Sequence, residues 1–202
     1  MYRPWAGPES PRMFENDLAD AVSRTHWAFV PVVFVPAVAW CAWASLTRGG
    51  LGVGATAGVV LAGLVTWTLT EYWLHRKLFH WIPQISWGPR LHFLIHGVHH
   101  DLPHDKYRLV LPPGASVPLF VLFLALWVGV FGGAGWAFHA GFAGGYVVYD
   151  LTHYYLHHGR PKNRWLRKLQ GHHASHHFNK KFHEKRFGVS SPLWDYVFRT
   201  QA

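Results

Sequence analysis

Long uncharged stretches alternate with polar segments along this 202-residue chain. Residues 27–47 and 49–70 contain no Asp, Glu, Lys or Arg, and residues 109–149 continue for 41 positions without one. A helix that crosses a bilayer needs roughly 20 apolar residues, so the longest stretch can supply two such helices. The glycine-rich run 132–135 is unfavourable for continuous helix and marks the turn between them. The pattern predicts an all-α integral membrane protein with four transmembrane helices in two hairpins, over about 27–47, 51–73, 115–131 and 134–150.

The composition favours a membrane protein over a soluble protein with buried helices. Half of the residues are hydrophobic and only 14% are charged, whereas soluble domains carry about 25% charged residues. Too few charged side chains remain to cover such apolar helices with a solvated surface. A single cysteine, Cys41, and 17% aromatic residues also exclude a disulfide scaffold and a disordered chain.

Positive charge is concentrated in the last quarter of the sequence. Residues 151–202 contain ten Lys or Arg and two acidic residues, a net +8 of the chain's +9. Positive segments stay on the cytoplasmic side of a membrane, and four spans place residues 1–26 and 71–108 on that side too. We therefore expect a cytoplasmic helical cap built from residues 74–112 and 151–202. In this topology the charge rests on anionic lipid headgroups, so we expect membrane lipid as its partner and no nucleic acid.

Histidine is unusually frequent, and its placement follows the predicted topology. The chain has 17 histidines, more than its ten acidic residues, and 15 of them lie in the two cytoplasmic segments. Ten of these form four clusters with the spacings HxxxxH, HxxHH, HxxxH and HxxHH. Residues at i, i+3 and i+4 share one face of a helix, so HxxHH presents three imidazoles together and HxxxH presents two. The clusters are His75 and His80; His96, His99 and His100; His153 and His157; and His173, His176 and His177.

A repeated layout, in which a pair is followed by a triplet, predicts two metal sites. Ten neutral imidazoles on one membrane face have few uses other than metal binding, and imidazole suits zinc, iron, copper and nickel. Five nitrogens for each of two ions would leave a position open for water or oxygen. A metal transporter would instead place its polar ligands inside the spans, where only His139 lies. A non-catalytic metal-binding membrane protein is an open alternative.

Four segments resemble the fatty acid hydroxylase superfamily. The first three are HRKLFH at 75–80, HFLIHGVHH at 92–100 and YRLVLPP at 107–113. The fourth is the closing segment 187–200, FGVSSPLWDYVFRT. Within the superfamily the resemblance is closest to the fatty acid 2-hydroxylases.

The resemblance implies an integral-membrane, two-metal monooxygenase that uses O2 and two external electrons to hydroxylate a fatty acyl chain at C2. It implies as metal ligands the ten clustered histidines, His75, His80, His96, His99, His100, His153, His157, His173, His176 and His177. No catalytic residue beyond these ligands and no other cofactor site is expected. We expect iron in the active form, and zinc can occupy the same imidazoles in a purified sample. Residues 1–202 would form a single fatty acid hydroxylase domain that acts on a lipid acyl chain.

The sequence shows no fused cytochrome b5 domain, so we expect a separate electron donor. A cytochrome b5-like protein, a ferredoxin or a reductase would serve. This favours a multi-pass protein of a bacterial inner membrane, with a cytoplasmic metal site, over a protein of the endoplasmic reticulum. It also weakens the expectation of a sphingolipid substrate.

Other classes of membrane oxygenase also contain histidine clusters. A carotenoid or sterol-type hydroxylase of the same superfamily is an open alternative, although a different sequence would then be expected after the second cluster. A membrane acyl desaturase typically has three histidine boxes, so the fourth cluster argues against it. We expect Tyr107, Arg108 and Trp194 near the substrate entrance, with a purely structural role as an equal alternative for each. Three acids beside the clusters are candidate acceptors for ligand imidazoles: Asp101, Asp105 and Asp150.

Overall fold

The computed structural model describes Ser10 and residues 12–202, and the regular secondary structure in that part of the chain is helical. The α-helices are α1 (Asp17–Val22), α2 (Phe29–Thr47), α3 (Val53–Trp73), α4 (Gly88–His92), α5 (Val98–Asp101), α6 (Pro113–Phe131), α7 (Ala134–His158), α8 (Arg164–Phe178) and α9 (Leu193–Val197). Two π-helices, π1 (Leu74–Phe79) and π2 (Phe93–Gly97), directly follow α3 and α4, and a 3₁₀ turn covers Lys180–Phe182. Residues 1–9 of the predicted cytoplasmic segment 1–26 lie outside the described residues, as does Pro11.

Among the residues that the structure describes, three helices are long and apolar enough to cross a membrane. They are α2, α3 with its continuation in π1 to Phe79, and α6. The helices α2, α3 and α6 begin and end within two residues of the predicted spans 27–47, 51–73 and 115–131. Many of their apolar side chains are exposed, such as Val32 and Leu122, which suits a lipid environment. This organisation is that of a multi-pass membrane protein.

The fourth long helix, α7, lies at the centre of the bundle. It packs against α3, α2 and α6, and twelve of its residues are buried. A Cβ at Gly141 would lie 1.9 Å from the carbonyl oxygen of Val60, and one at Gly63 would lie 2.1 Å from that of Phe138. Small residues allow membrane helices to approach to backbone contact, so these glycines set the separation of α3 and α7. The two predicted hairpins thus pack together through α3 and α7.

The turn between α6 and α7 falls where the sequence predicts it. α6 ends at Phe131 and α7 begins at Ala134, and Gly132 adopts a φ of 57°, a left-handed conformation that glycine adopts without steric cost. α7 then continues past residue 150, the predicted end of its span, to His158. This continuation carries the HxxxH pair, just as π1 continues α3 and carries His75.

The C-terminal segment folds back onto the end of α3. The carboxylate of Glu71 accepts N–H groups from Val189 at 2.7 Å and from Ser190 at 2.9 Å. The indole Nε1 of Trp194 donates to the hydroxyl of Thr68 at 3.0 Å. These contacts hold the C-terminal segment beside π1. The histidines of residues 75–100 therefore meet those of residues 153–177.

Candidate metal centre

The ten predicted histidines converge in two groups of five. In each group the candidate ligand nitrogens all lie within 4.8 Å of one another. Group A consists of His75, His80, His96, His100 and His176, and group B consists of His99, His153, His157, His173 and His177. Within the described part of the chain, every histidine of the four sequence clusters belongs to one of these groups, and no cysteine or carboxylate joins them.

Each HxxHH triplet is divided between the two groups. Its first and third histidines join the pair that precedes them, whereas the middle one joins the other group. In the first triplet the middle histidine is His99, which belongs to group B, where its ring centroid lies 4.4 Å from that of His153. In the second triplet the middle histidine is His176, which belongs to group A. On a helix, residues four apart lie nearly above one another, and the residue at i+3 is rotated away in the opposite sense. Each group therefore depends on both halves of the chain.

The HxxxxH pair depends on a π-helix. In an α-helix, residues five apart point to different faces, but the i to i+5 hydrogen bonds of a π-helix place them one turn apart. π1 brings the ring centroids of His75 and His80 to 5.1 Å. π2 carries His96, whose ring centroid lies 4.8 Å from that of His75. Short π-helical turns occur frequently at functional sites, and both of these lie beside group A.

The nitrogens of group B point to a common centre. The Nε2 of His173 lies 2.9 Å from that of His153, 2.8 Å from that of His157 and 3.1 Å from that of His177. Two nitrogens that bind one ion at about 2.1 Å and at right angles lie about 3.0 Å apart. The Nε2 of His99 is buried with no hydrogen-bond partner among the described residues. These distances and this unpartnered nitrogen fit a bound metal ion.

Group A shows the same spacing. The Nε2 of His100 lies 3.0 Å from that of His96, and the Nε2 of His80 lies 3.1 Å from that of His176. The Nε2 of His75 is buried, and no hydrogen-bond partner for it occurs in the described residues. A buried polar atom without a partner is costly, and a metal ion would satisfy it.

Burial keeps these imidazoles neutral. Removal from water is the main reason why the pKa of His80 falls to about 3, that of His100 to about 2 and that of His176 to about 4. The pKa values of His96 and His173 lie well below the usual range, again chiefly because of burial. Neutral imidazole is the form that binds a metal ion, so the surroundings favour ligation over protonation.

Backbone carbonyls orient two of the group A rings. The Nδ1 of His75 donates to the carbonyl of Phe187 at 2.6 Å, and the Nδ1 of His176 donates to that of Lys185 at 2.7 Å. Because a carbonyl oxygen can only accept, Nδ1 carries the proton and Nε2 has an available lone pair. Such hydrogen bonds fix the ring and make the ligating nitrogen more basic.

Asp195, which is not among the candidates predicted from the sequence, holds the backbone that orients His75. Its side chain is fully buried. Oδ1 accepts from the N–H of Phe187 at 2.9 Å and from the hydroxyl of Thr200 at 2.7 Å. Oδ2 accepts from the N–H of Gly188 at 2.8 Å and lies 3.0 Å from Nε2 of His172. The signal in the sequence that could have identified Asp195 is an acidic residue within a strongly basic segment.

Glu71 is a second structural carboxylate that is not among the candidates predicted from the sequence. It is buried and anchors the backbone of residues 189–190 to α3. In the sequence it is the only acidic residue between Asp20 and Asp101, and it lies four residues before His75. An isolated acid near the end of an apolar span generally has a specific partner, and that rule could have identified it.

The three acids beside the clusters lie in three different environments. Asp105 accepts from Ser10 and lies 3.8 Å from the Nε of Arg108. Asp150 is buried within α7, close to Tyr146. Asp101 is exposed beside the first triplet. Glu71 and Asp195 hold the backbone of residues 187–190 through hydrogen bonds to its N–H groups.

The residues expected near a substrate entrance make mainly structural contacts. The buried guanidinium of Arg108 donates to Asp20 at 2.9 Å and to Ser23 at 2.6 Å, which ties α1 to the loop before α6. Trp194 is hydrogen-bonded to α3, and Tyr107 is 45% exposed. For Arg108 and Trp194 these contacts agree with the structural alternative.

Comparison with known proteins agrees with the sequence resemblance. The profile of a family described as fatty acid hydroxylase matches residues 60–200. Dihydroceramide fatty acyl 2-hydroxylase FAH2 of Arabidopsis thaliana is 40% identical over 201 residues, which cover 99% of this chain and 84% of that protein. Fatty acid 2-hydroxylase of Rattus norvegicus is 39% identical over 212 residues, covering 94% of this chain and 56% of that protein. A solved structure, described as full-length scs7p with only the hydroxylase domain visible, superposes with a TM-score of 0.88 and 38% identity over 96% of this chain and 73% of that one. The match in sequence, in fold and in the length covered shows that this chain belongs to the fatty acid hydroxylase family.

Proposed function

We propose that this protein is a membrane-bound monooxygenase that hydroxylates a fatty acyl chain at C2, using O2 and two external electrons. The observation that carries the proposal is the pair of five-histidine groups beside the end of an apolar helix bundle. The C2 position is supported by the relatives, which are named 2-hydroxylases. The substrate class is a lipid acyl chain, free or as part of a larger lipid.

Groups A and B would each hold one metal ion through their five imidazoles. We propose iron for the active form, with zinc able to occupy the same nitrogens. When bound, the metal pair supplies with O2 the oxidising chemistry that a C–H bond requires and that acid–base side chains cannot provide. The protein holds the nitrogens close together, fixes two rings through the carbonyls of Phe187 and Lys185, and keeps water away by burial.

The acyl chain would enter from the bilayer along residues 78–95. This segment exposes large apolar side chains, among them Trp81 (56%) and Trp87 (59%), and it begins where the membrane-capable helix α3–π1 ends. The ring of Phe79 stacks on that of His96 with centroids 5.0 Å apart. A chain that follows this surface would reach group A without leaving apolar surroundings.

We propose that α7 is the fourth transmembrane helix, over about 134–150. Its central position among three apolar helices shields its polar residues from lipid. The net positive charge of residues 151–202 supports a cytoplasmic cap made of 74–112 and 151–202. Residues 1–202 would then form one hydroxylase domain. A bacterial inner membrane stays a prediction, which fractionation of the source cells would test.

The electrons would come from a separate cytochrome b5-like protein, ferredoxin or reductase. Mixing the purified protein with each of these donors and O2, and measuring the rate of donor oxidation with and without lipid, identifies the donor. A donor that is oxidised only when lipid is present supports the assignment.

The central experiment supplies the purified protein with reductant, O2 and a lipid extract, followed by mass spectrometry. A product heavier by one oxygen atom supports a hydroxylase, whereas a product lighter by two hydrogen atoms would identify a desaturase. His99→Ala and His176→Ala should each abolish metal binding at one group and activity, while His104→Ala, an exposed histidine outside both groups, should not. Stoichiometric metal without any oxidised product would favour the non-catalytic alternative.

A further inference from the structure

A cleft of about 630 Å³ lies between α8 and α9. Pockets that bind small molecules typically have about 300–1,000 Å³, so the cleft has the size of a ligand site. Trp165, Lys168 and His172 line it from α8 at positions i, i+3 and i+7, which share one helix face. Leu193 and Tyr196 line it from α9.

The cleft is cationic. Besides Lys168, it is lined by Arg186, whose guanidinium is held 3.5 Å above the ring of Phe182. Over residues 12–202, neither cation is ion-paired with a carboxylate. Asp195, which contacts the lining residue His172, is itself fully buried. The Nε of Arg186 donates to the carbonyl of Gln201 at 2.9 Å and its Nη1 donates to the hydroxyl of Ser175, but neither partner neutralises its charge. The cleft therefore presents two positive charges to an anionic ligand.

α9 lies beside the last turns of a membrane-capable helix. The hydrogen bond from Trp194 to Thr68 joins it to α3, and the ring of Phe198, directly after α9, packs on Trp73 with centroids 5.2 Å apart. Thr68 lies only about 7 Å, at 1.5 Å per residue, before Trp73, where α3 and the predicted span 51–73 end. α9 thus lies at the depth where α3 reaches the membrane surface.

The rim of the cleft is apolar and aromatic at this depth. Leu193 and Tyr196, which line the cleft, are 52% and 63% exposed, and Val197, beside them on α9, is 55% exposed. Tyr and Trp are enriched at membrane surfaces because their rings are apolar and their tips are polar. Trp165, 52% exposed on the other wall, fits the same pattern.

We propose that this cleft binds the phosphate headgroup of an anionic membrane lipid. Lys168 and Arg186 would face the phosphate, and the acyl chains would lie over Leu193 and Val197 of α9. The proposal rests on α3 crossing the bilayer but does not require turnover. An acidic protein partner is disfavoured, because the exposed apolar side chains of α9 lie beside a membrane-capable helix. These side chains would be inserted in lipid and would not contact a protein.

The test measures lipid retention on the full, metal-loaded chain in detergent. Dioleoyl-phosphatidylglycerol is titrated, retained lipid is counted by native mass spectrometry, and dioleoyl-phosphatidylcholine gives the uncharged reference. Lys168→Glu should lower phosphatidylglycerol retention about tenfold, because a cation near an anionic lipid is replaced by an anion. Arg167→Glu is the matched control: Arg167 is exposed on α8 outside the cleft, and its exchange should leave retention nearly unchanged.

Each outcome decides for or against the cleft. An equal loss in both variants would indicate general surface attraction and overturn the proposal. Competition by inorganic phosphate at the same concentration would indicate a soluble phosphate ligand, and displacement of the lipid by an acidic protein would indicate a protein site; either result also overturns it. The metal content of each variant reports whether the cap is intact, and Lys168→Gln, with a smaller expected loss, replaces Lys168→Glu if it is not. Failure of the hydroxylase assay would count against the proposed function alone, since lipid retention is measured without turnover.

Discussion

Replacement of Asp195 by Asn would show whether the backbone around Phe187 supports group A. Each oxygen of the carboxylate accepts a backbone N–H, from Phe187 on Oδ1 and from Gly188 on Oδ2. An amide has only one accepting oxygen, so either orientation of the Asn side chain turns an NH2 group towards a backbone N–H. The substitution keeps the volume and removes one of these two hydrogen bonds in either orientation.

The size of the effect follows from burial. A hydrogen bond to a charged group contributes about 1.5–3 kcal/mol, and a buried donor left without a partner costs about 1–3 kcal/mol. Asp195 is fully buried, so water does not replace the lost acceptor. We therefore expect the free energy of unfolding to fall by about 2–4 kcal/mol. Because the carbonyl of Phe187 orients His75, metal affinity at group A should fall by about 10–100-fold.

Two measurements check this expectation. Metal content after equilibration with graded chelator reports affinity, and urea unfolding of the detergent-solubilised protein reports stability. Glu184→Gln is the control, because its carboxylate is 79% exposed and lies 3.7 Å from the Nδ1 of the neutral His80, which is too far for a hydrogen bond. An Asp195→Asn protein that holds both metals as tightly as the wild type and unfolds within about 0.5 kcal/mol of it would refute the reasoning.

Three further predictions follow from the packing, the histidines and the N-terminal helix. Gly63→Ala places a Cβ 2.1 Å from the carbonyl oxygen of Phe138 and should lower the free energy of unfolding by about 1–3 kcal/mol. Its control is Gly58→Ala, whose Cβ would have nothing within 4 Å and which should be neutral or slightly stabilising. Equal thermal unfolding of the two variants would contradict the close contact of α3 and α7. In the metal-free protein, burial lowers the pKa of His176 to about 4 and that of His80 to about 3, below the unfolded value of about 6.5. The unfolded chain then binds more protons, so stability is complete above about pH 6.5 and falls on acidification towards pH 4; urea unfolding of chelator-treated protein at several pH values checks this, and equal or greater stability at pH 5 would be inconsistent with it. Arg108→Ala removes the bonds from the guanidinium to Asp20 and Ser23, so trypsin should cleave more rapidly near Arg24 while metal content is unchanged; loss of metal would show that Arg108 supports the histidine groups directly.

Much of the bundle was predictable because hydrophobicity is a local property of the chain. The ends of α2, α3 and α6 follow the uncharged stretches closely. α7 was harder, because its glycines and polar residues reflect its central position and not lipid exposure. Its continuation to His158 lies beyond the uncharged stretch that defined the predicted span, which ends at residue 150.

The candidate site was also predictable only in part from the sequence. The short spacings identified all ten histidines that the structure brings together, because residues three to five positions apart lie within about one and a half helical turns of one another. The exchange of His99 and His176 between the groups could not be predicted, since it depends on how α5 and α8 are rotated against each other. Glu71 and Asp195 act on backbone that is distant in sequence, so local spacing gave no partner for either.

The sequence by itself determined which segments are apolar enough for a membrane and which histidines are close enough to act together, because both depend on neighbours within one or two helical turns. Only the tertiary structure decided how these histidines are shared between groups A and B, and which carboxylates hold them. These arrangements bring together residues that are far apart in the sequence, such as Glu71 and Ser190. They depend on how whole helices pack against each other. Close contact at Gly63 and Gly141 brings α3 and α7 together, and this contact positions the two histidine pairs that continue from those helices.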